Sequence, residues 1–145
     1  MEFMELIEFM GEGPEHPALL AHFKQANITK QPRPDAGVYM AYVQFADQGY
    51  EMRFDLKPDG MQLFLSHIAA FPHGDPTHKP YVGKLPGDIQ KNDTQESLAV
   101  KLGAPVMHND VTNVDMWKLG NWNLVVRFNQ ETGAIKAVLV TVPKK

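Results

Sequence analysis

The chain carries 145 residues, a formal net charge of −3 and no cysteine. That length suits one domain, residues 1–145, burying roughly two-thirds of its unfolded surface. The missing cysteines exclude thiol catalysis, cysteine zinc sites and disulfides, and the mild acidity argues against a nucleic-acid binder, which would carry a basic stripe.

Residues 1–10 place Glu2, Glu5 and Glu8 at every third position, with apolar pairs between them. The spacing predicts a helix with a narrow acidic stripe, either packed on a sheet with its glutamates in water or docking a basic partner. The same glutamates interrupt the apolar core that a secretory signal needs. No run approaches the ~18 apolar residues of a membrane span, so a cytoplasmic home is expected. Gly11-Glu12-Gly13-Pro14 breaks the element. Pro17 then suits a first helical position, and Leu19, Leu20, Phe23 and Ile28 supply the apolar face of a helix ending near Asn27. Residues 31–37 read as loop and 38–45 as a strand, turned by Asp47-Gln48-Gly49.

In residues 50–56, Tyr50, Met52, Phe54 and Leu56 alternate with Glu51, Arg53 and Asp55, the period-2 mark of a strand with one buried face. Pro58-Asp59-Gly60 gives a turn, and 61–68 an apolar return strand. Residues 69–80 form a joint rich in proline and glycine, holding His73 and His78. An extended lead-in follows at 81–89. Asp93 and Glu96 have the spacing of a capping box ahead of Leu98, Val100 and Leu102, and Gly103 and Pro105 stop that helix. Residues 107–111 read as loop, 112–119 as a strand, and 122–128 as a strand alternating Trp122, Leu124, Val126 and Phe128 with Asn123, Val125 and Arg127. After a turn at 129–133, residues 135–142 are apolar on both faces, as for a central strand.

The two hairpins match. Met52-Arg53-Phe54 aligns with Val126-Arg127-Phe128, and Gly60 with Gly133 after a one-residue slip. The expected fold is α+β: two tandem units, each a helix plus a three-stranded antiparallel meander, at about 11–70 and 81–143. The joint is residues 71–80, and the helices pack on one face of one sheet or of two smaller sheets. The opposite face would present Glu51, Arg53, Asp55, Asn123, Arg127 and Asn129, and of Trp117 and Trp122, which flank a tight turn, either one is buried and the other half exposed or Trp117 is an interface anchor. Those six face residues and Trp117 are the expected partner-binding set.

Reactive motifs are scarce. His73, Asp75 and His78 could be written as a metal motif, yet nothing resembles HExxH. Ser66 and Ser97 sit on no strained turn with a base near in sequence, and no glycine-rich loop has a phosphate-binding pattern. No catalytic residue, metal or cofactor is expected, and an enzyme is not.

Residues 85–105, LPGDIQKNDTQESLAVKLGAP, followed by a Trp-bearing strand and LVVRFNQETGAIKAVLV, resemble a repeat of small bacterial proteins. The pattern is an LP-x-G/D-I lead-in, a Thr/Ser-led helix ending in LG-x-P, and an F-(D/N)-x-x-G-x-I hairpin. It is similar to the tandem units of beta-lactamase-inhibitory-protein-like folds and to immunity proteins that neutralise toxins of contact-dependent and type VI secretion systems. The likeness is clear over 81–142 and faint over 19–68, where Gln25-Ala26-Asn27-Ile28 replaces LG-x-P. It carries no functional residue across. It implies a cytosolic immunity or inhibitor protein that occludes a cognate toxin's active surface, and the chain's acidity would suit a basic, nuclease-like toxin. The alternatives are a small-ligand- or metal-binding α+β domain with its site near His73 and His78, and a homodimer paired through an edge strand.

Overall fold

A computed structural model describes residues 2–34 and 39–143. Strands form at 50–56 and 122–128, where period-2 alternation predicts them, and at five further stretches of the described residues. Among the described residues these are β1 (Met40–Phe45), β2 (Tyr50–Leu56), β3 (Leu63–Ala70), β4 (Met107–Asn109), β5 (Val114–Leu119), β6 (Trp122–Phe128) and β7 (Ile135–Thr141). The helices are short: α1 (Phe3–Leu6), α2 (Pro17–Gln25) and α3 (Gln95–Leu102). No described helix is long and apolar enough to cross a membrane.

The expected pair of helix plus three-strand units is not what the chain builds. It builds one open, seven-stranded antiparallel sheet in the order β1-β2-β3-β7-β6-β5-β4. The centre is the β3–β7 pair, with Ile68 opposite Val140 and Ala70 opposite Val138. β3 and β7 bury apolar side chains on the core side and place Ala69, Ala137 and Leu139 on the other, as suits central strands. The stretch expected as loop after α3 contributes β4, which makes the later meander four strands long. The expected ten-residue N-terminal helix is the four residues of α1 and a 3-10 turn at Ile7–Phe9. It stops because the chain must extend: Gly11 N–H donates to the Leu65 carbonyl (2.9 Å) and Leu65 N–H to the Glu12 carbonyl (2.8 Å), closing the part of β3 that β7 does not reach. The start of the predicted first strand, Val38, lies outside the described residues.

The cap of α3 also falls one residue later than Asp93. Thr94 is the N-cap, accepting from Ser97 N–H (3.2 Å) while the Ser97 hydroxyl accepts from Thr94 N–H (2.8 Å). Asp93 instead accepts from the Ser97 hydroxyl (2.8 Å) and from the Lys101 ammonium (2.7 Å).

All three helices lie on one face, where Phe3, Leu6, Leu19, Phe23 and Leu98 join Met52, Phe54, Leu65, Ile68, Leu124, Val126 and Val140 in the main core. Each large side chain buried here contributes about 1.5–3 kcal/mol. The other face has only a small apolar centre, Ala69, Ala137 and Leu139, flanked by Phe71 and Val125. Bulges interrupt the ladders beside Arg53-Phe54 and Arg127-Phe128. Ser66 and Lys136 are the extra residues on the partner strands.

Candidate functional site

Strand parity decides which side chains reach the face without helices. Tyr50, Met52 and Phe54 are buried in the core, so Glu51, Arg53 and Asp55 point the other way. Leu124 and Val126 are buried likewise, which puts Asn123 and Arg127 on the same open face. There a shallow concavity of about 110 Å³ is lined by Tyr42, Glu51, Arg53, His67, Phe71 and Arg127 over Ala69, Ala137 and Leu139. Residues of β2 and β6, far apart in sequence, line one concavity because Ala69, Ala137 and Leu139 of the strands between them form its low floor.

The charged walls are positioned. The Arg53 guanidinium donates to Asp55 at 2.7 Å. Glu51 lies against the loop after β3. His78, 5% exposed, stacks on Phe71 with ring centroids 4.4 Å apart. Its Nδ1 lies 3.0 Å from Asp75 Oδ1, and its Nε2 lies 3.9 Å from Glu51 Oε2 with no hydrogen-bond partner among the described residues. Burial works against the Asp75 charge, but hydrogen bonds from the His78 ring and from the His78 and Thr77 N–H groups outweigh it and hold the carboxyl below the usual range. Asp75 is therefore the acceptor of this pair, His78 Nδ1 is the donor, and Nε2 faces Glu51. Burial raises the Glu51 carboxyl above its ordinary value and Asp75 adds to this, while His78 and Arg127 pull it down. Arg127 is exposed, and its guanidinium makes no hydrogen bond or ion pair among the described residues.

The other expected residues fall elsewhere. Trp117 points into the core, 4% exposed, and its indole N–H donates to the Gly103 carbonyl at 2.9 Å. Asn129 is exposed at the β6–β7 turn, where its side-chain oxygen accepts from Glu131 N–H (2.8 Å) and Thr132 N–H (3.0 Å). Asn123 is on the open face but 9% exposed, with its Oδ1 unpartnered among the described residues. His73 and His78 do not converge. His73 Nε2 bonds the Lys91 carbonyl at 2.8 Å while His78 turns toward Glu51. Among the described residues no three His, Asp or Glu side chains are grouped as a metal would need.

His67 was not singled out from the sequence, and it lies beside a serine. Its Nδ1 is 2.8 Å from Ser66 Oγ. The Ser66 hydroxyl donates to the Arg53 carbonyl (3.0 Å) from the fully buried bulge position, so the ring nitrogen is the donor of this pair. A serine whose proton is spent on a carbonyl is not poised as a nucleophile.

A larger cleft of about 420 Å³ opens beside the helices, among α2, the β1–β2 turn and residues 80–83. Its floor holds His22 and Tyr50, Nε2 to Oη 2.5 Å. Burial lowers the His22 pKa to about 4, and burial raises that of Tyr50. A neutral imidazole accepting from an un-ionised phenol satisfies both groups.

No family model matches the chain, and no curated protein does. Among solved structures it is similar to a DUF4309 family protein (YjgB) from Bacillus subtilis subsp. subtilis str. 168, with a TM-score of 0.45 and 12% identity, covering 96% of this chain and 97% of that one.

Proposed function

We propose that this protein binds and neutralises a second protein, as an immunity protein does a toxin, and that the open face of its sheet is the contact surface. The observation that carries this reading is the charged concavity on that face. Arg53 is fixed by Asp55, Glu51 abuts a loop anchored by His78, and Arg127 extends unpaired above an apolar floor. Side chains already held in place lose little entropy on binding, and arginine is prominent among interface anchors. Neutralisation needs no chemistry of its own, in keeping with a Ser66 hydroxyl committed to a backbone carbonyl. The likeness of residues 81–142 to immunity proteins points to a bacterial toxin met in the cytosol, and the net charge of −3 suits a basic, nuclease-like one.

The test is to co-express the chain with the product of the neighbouring reading frame, isolate the complex and titrate the partner's activity against it. Inhibition should be complete at one-to-one stoichiometry. Arg127→Glu should weaken binding at least about tenfold without changing the thermal midpoint of the free protein by much, and Arg53→Glu should weaken binding as strongly while lowering the midpoint, because it sets two like charges together at Asp55. No complex, or a complex indifferent to both reversals, overturns the reading.

A further inference from the structure

The two edges of the sheet are built differently. β4, at one edge, is three residues long, exposed, and carries His108, whose ring is paired with Asp110 and Asp115. A short, charged edge resists pairing with another chain. β1, at the other edge, runs Met-Ala-Tyr-Val-Gln-Phe over Met40–Phe45, without a charge, a proline or a register break against β2. Among the described residues β1 therefore has no charge, proline or bulge to guard its edge. Tyr39 is 76% exposed, Met40 45% and Tyr42 52%.

The direction of the free backbone groups follows from the ladder. Leu56 N–H donates to the Tyr39 carbonyl at 2.9 Å. In an antiparallel pair, alternate residues bond the same neighbour. Tyr39, Ala41, Val43 and Phe45 therefore bond β2, and Met40, Tyr42 and Gln44 turn their N–H and C=O groups outward. Those three residues also place their side chains on the open face, since Val43 and Phe45 are buried in the core.

We propose that β1 pairs antiparallel with β1 of a second copy of this chain, about a two-fold axis through Tyr42. Met40 then faces the second copy's Gln44, and Tyr42 faces its own counterpart. Each of these pairs exchanges two backbone bonds, and the outward groups of all three residues are satisfied. An uncharged strand is self-complementary, because no like charges meet across the axis, and two tyrosines brought together form a favourable cross-strand pair. The assembly closes at two copies, because each β1 has one free edge and β4 at the far edge is short and charged. Its consequence is a continuous sheet with two open faces side by side.

Sedimentation equilibrium over a concentration series measures the association directly. Monomer at low concentration should give way to dimer, and the amides of Met40, Tyr42 and Gln44 should gain protection from hydrogen exchange in step with dimer. The amides of Ala41 and Val43 should be protected throughout. Tyr42→Lys and Tyr42→Glu each place like charges across the axis and should raise the dimer dissociation constant at least about tenfold. An equimolar mixture of the two variants should recover a heterodimer, because opposite charges then meet. A wild-type chain that stays monomeric, an open-ended aggregate, or Met40, Tyr42 and Gln44 amides that exchange freely in a dimer overturns the proposal. So does a mixture that pairs no better than either variant alone. The exchange measurement uses the unaltered chain and stands even if both variants fail to fold.

Discussion

The His78 imidazole lies on the ring of Phe71 with the two planes 23° apart, so a loop residue is anchored to the end of a central strand. With Asp75 accepting from both the His78 ring and its backbone N–H, this stack fixes the loop after β3 beside Glu51. His78→Ala removes the stacked ring and leaves Asp75 without its side-chain donor. The expected loss of stability is about 1–3 kcal/mol, with faster hydrogen exchange over residues 72–79 and unchanged protection in β6. Equal loosening of both regions would mean that the histidine supports the whole sheet rather than the loop.

Protonation divides His22 from Glu51. The His22 pKa falls from 6.5 to about 4 on folding because burial disfavours the charge. Between those values the unfolded chain binds the extra proton, so this group's contribution to stability is complete above pH 6.5 and is lost as pH falls toward 4. The size is at most about 3 kcal/mol. Glu51 acts in the opposite sense. Its folded pKa is raised, so the folded chain holds the proton longer, and its contribution declines as pH rises above the unfolded value of 4.5. Urea unfolding at pH 7, 5.5 and 4 should show His22→Phe losing less stability on acidification than the wild type, and Glu51→Gln losing more. Parallel curves for all three proteins would contradict the assignment.

How much of this was legible depends on range. The strands at 50–56 and 122–128 were plain from alternation, because parity is local information. The parity that buries Met52 and Val126 also put Glu51, Arg53 and Arg127 on one face, though β3 and β7 lie between β2 and β6. The order of strands was not legible, since nothing in either hairpin states that Ile68 will meet Val140. The N-terminal pattern overstated its helix. Apolar pairs such as Phe3-Met4 fit a helical face, but the extension that bonds Gly11 to Leu65 is a tertiary event. Asn129 could have been read correctly: an asparagine leading a turn that ends in glycine commonly bonds the backbone two residues on. The contact between Glu51 and His78 spans the first hairpin and had no sequence signature.

Gly49 shows where the fold tolerates no side chain. Its φ is +82°, and a Cβ there would lie 2.4 Å from the Lys79 carbonyl oxygen and 2.5 Å from the Tyr81 nitrogen. Lys79 N–H bonds the Ala46 carbonyl (2.8 Å) and Phe71 N–H bonds that of Gly49 (2.9 Å), so this backbone cannot move away without breaking the joint between the β1–β2 turn and residues 79–81. Gly49→Ala should cost about 2–4 kcal/mol. Gly60→Ala, at φ +71° with open space around it, should cost about 1 kcal/mol. Chemical denaturation of the two variants compares steric clash with conformational strain, and similar losses would show that the close approach to Lys79 is not tight in solution.

Trp117 separates stability from binding. On β5 it lies opposite Leu124, inside the core, and its indole N–H reaches the Gly103 carbonyl just beyond the end of α3. Trp117→Phe keeps most of the apolar area but leaves that carbonyl without its donor, for about 1–2 kcal/mol. Trp117→Ala also opens a cavity and should cost about 3–5 kcal/mol. Neither change touches the open face, so partner affinity of the folded fraction should match the wild type, whereas Arg127→Ala should do the reverse, lowering affinity while leaving the unfolding midpoint nearly unchanged. Calorimetric titration and denaturant melts on the same three variants test this division. A Trp117→Phe protein of near-native stability that binds its partner tenfold more weakly would move the contact surface to the helical side of the sheet.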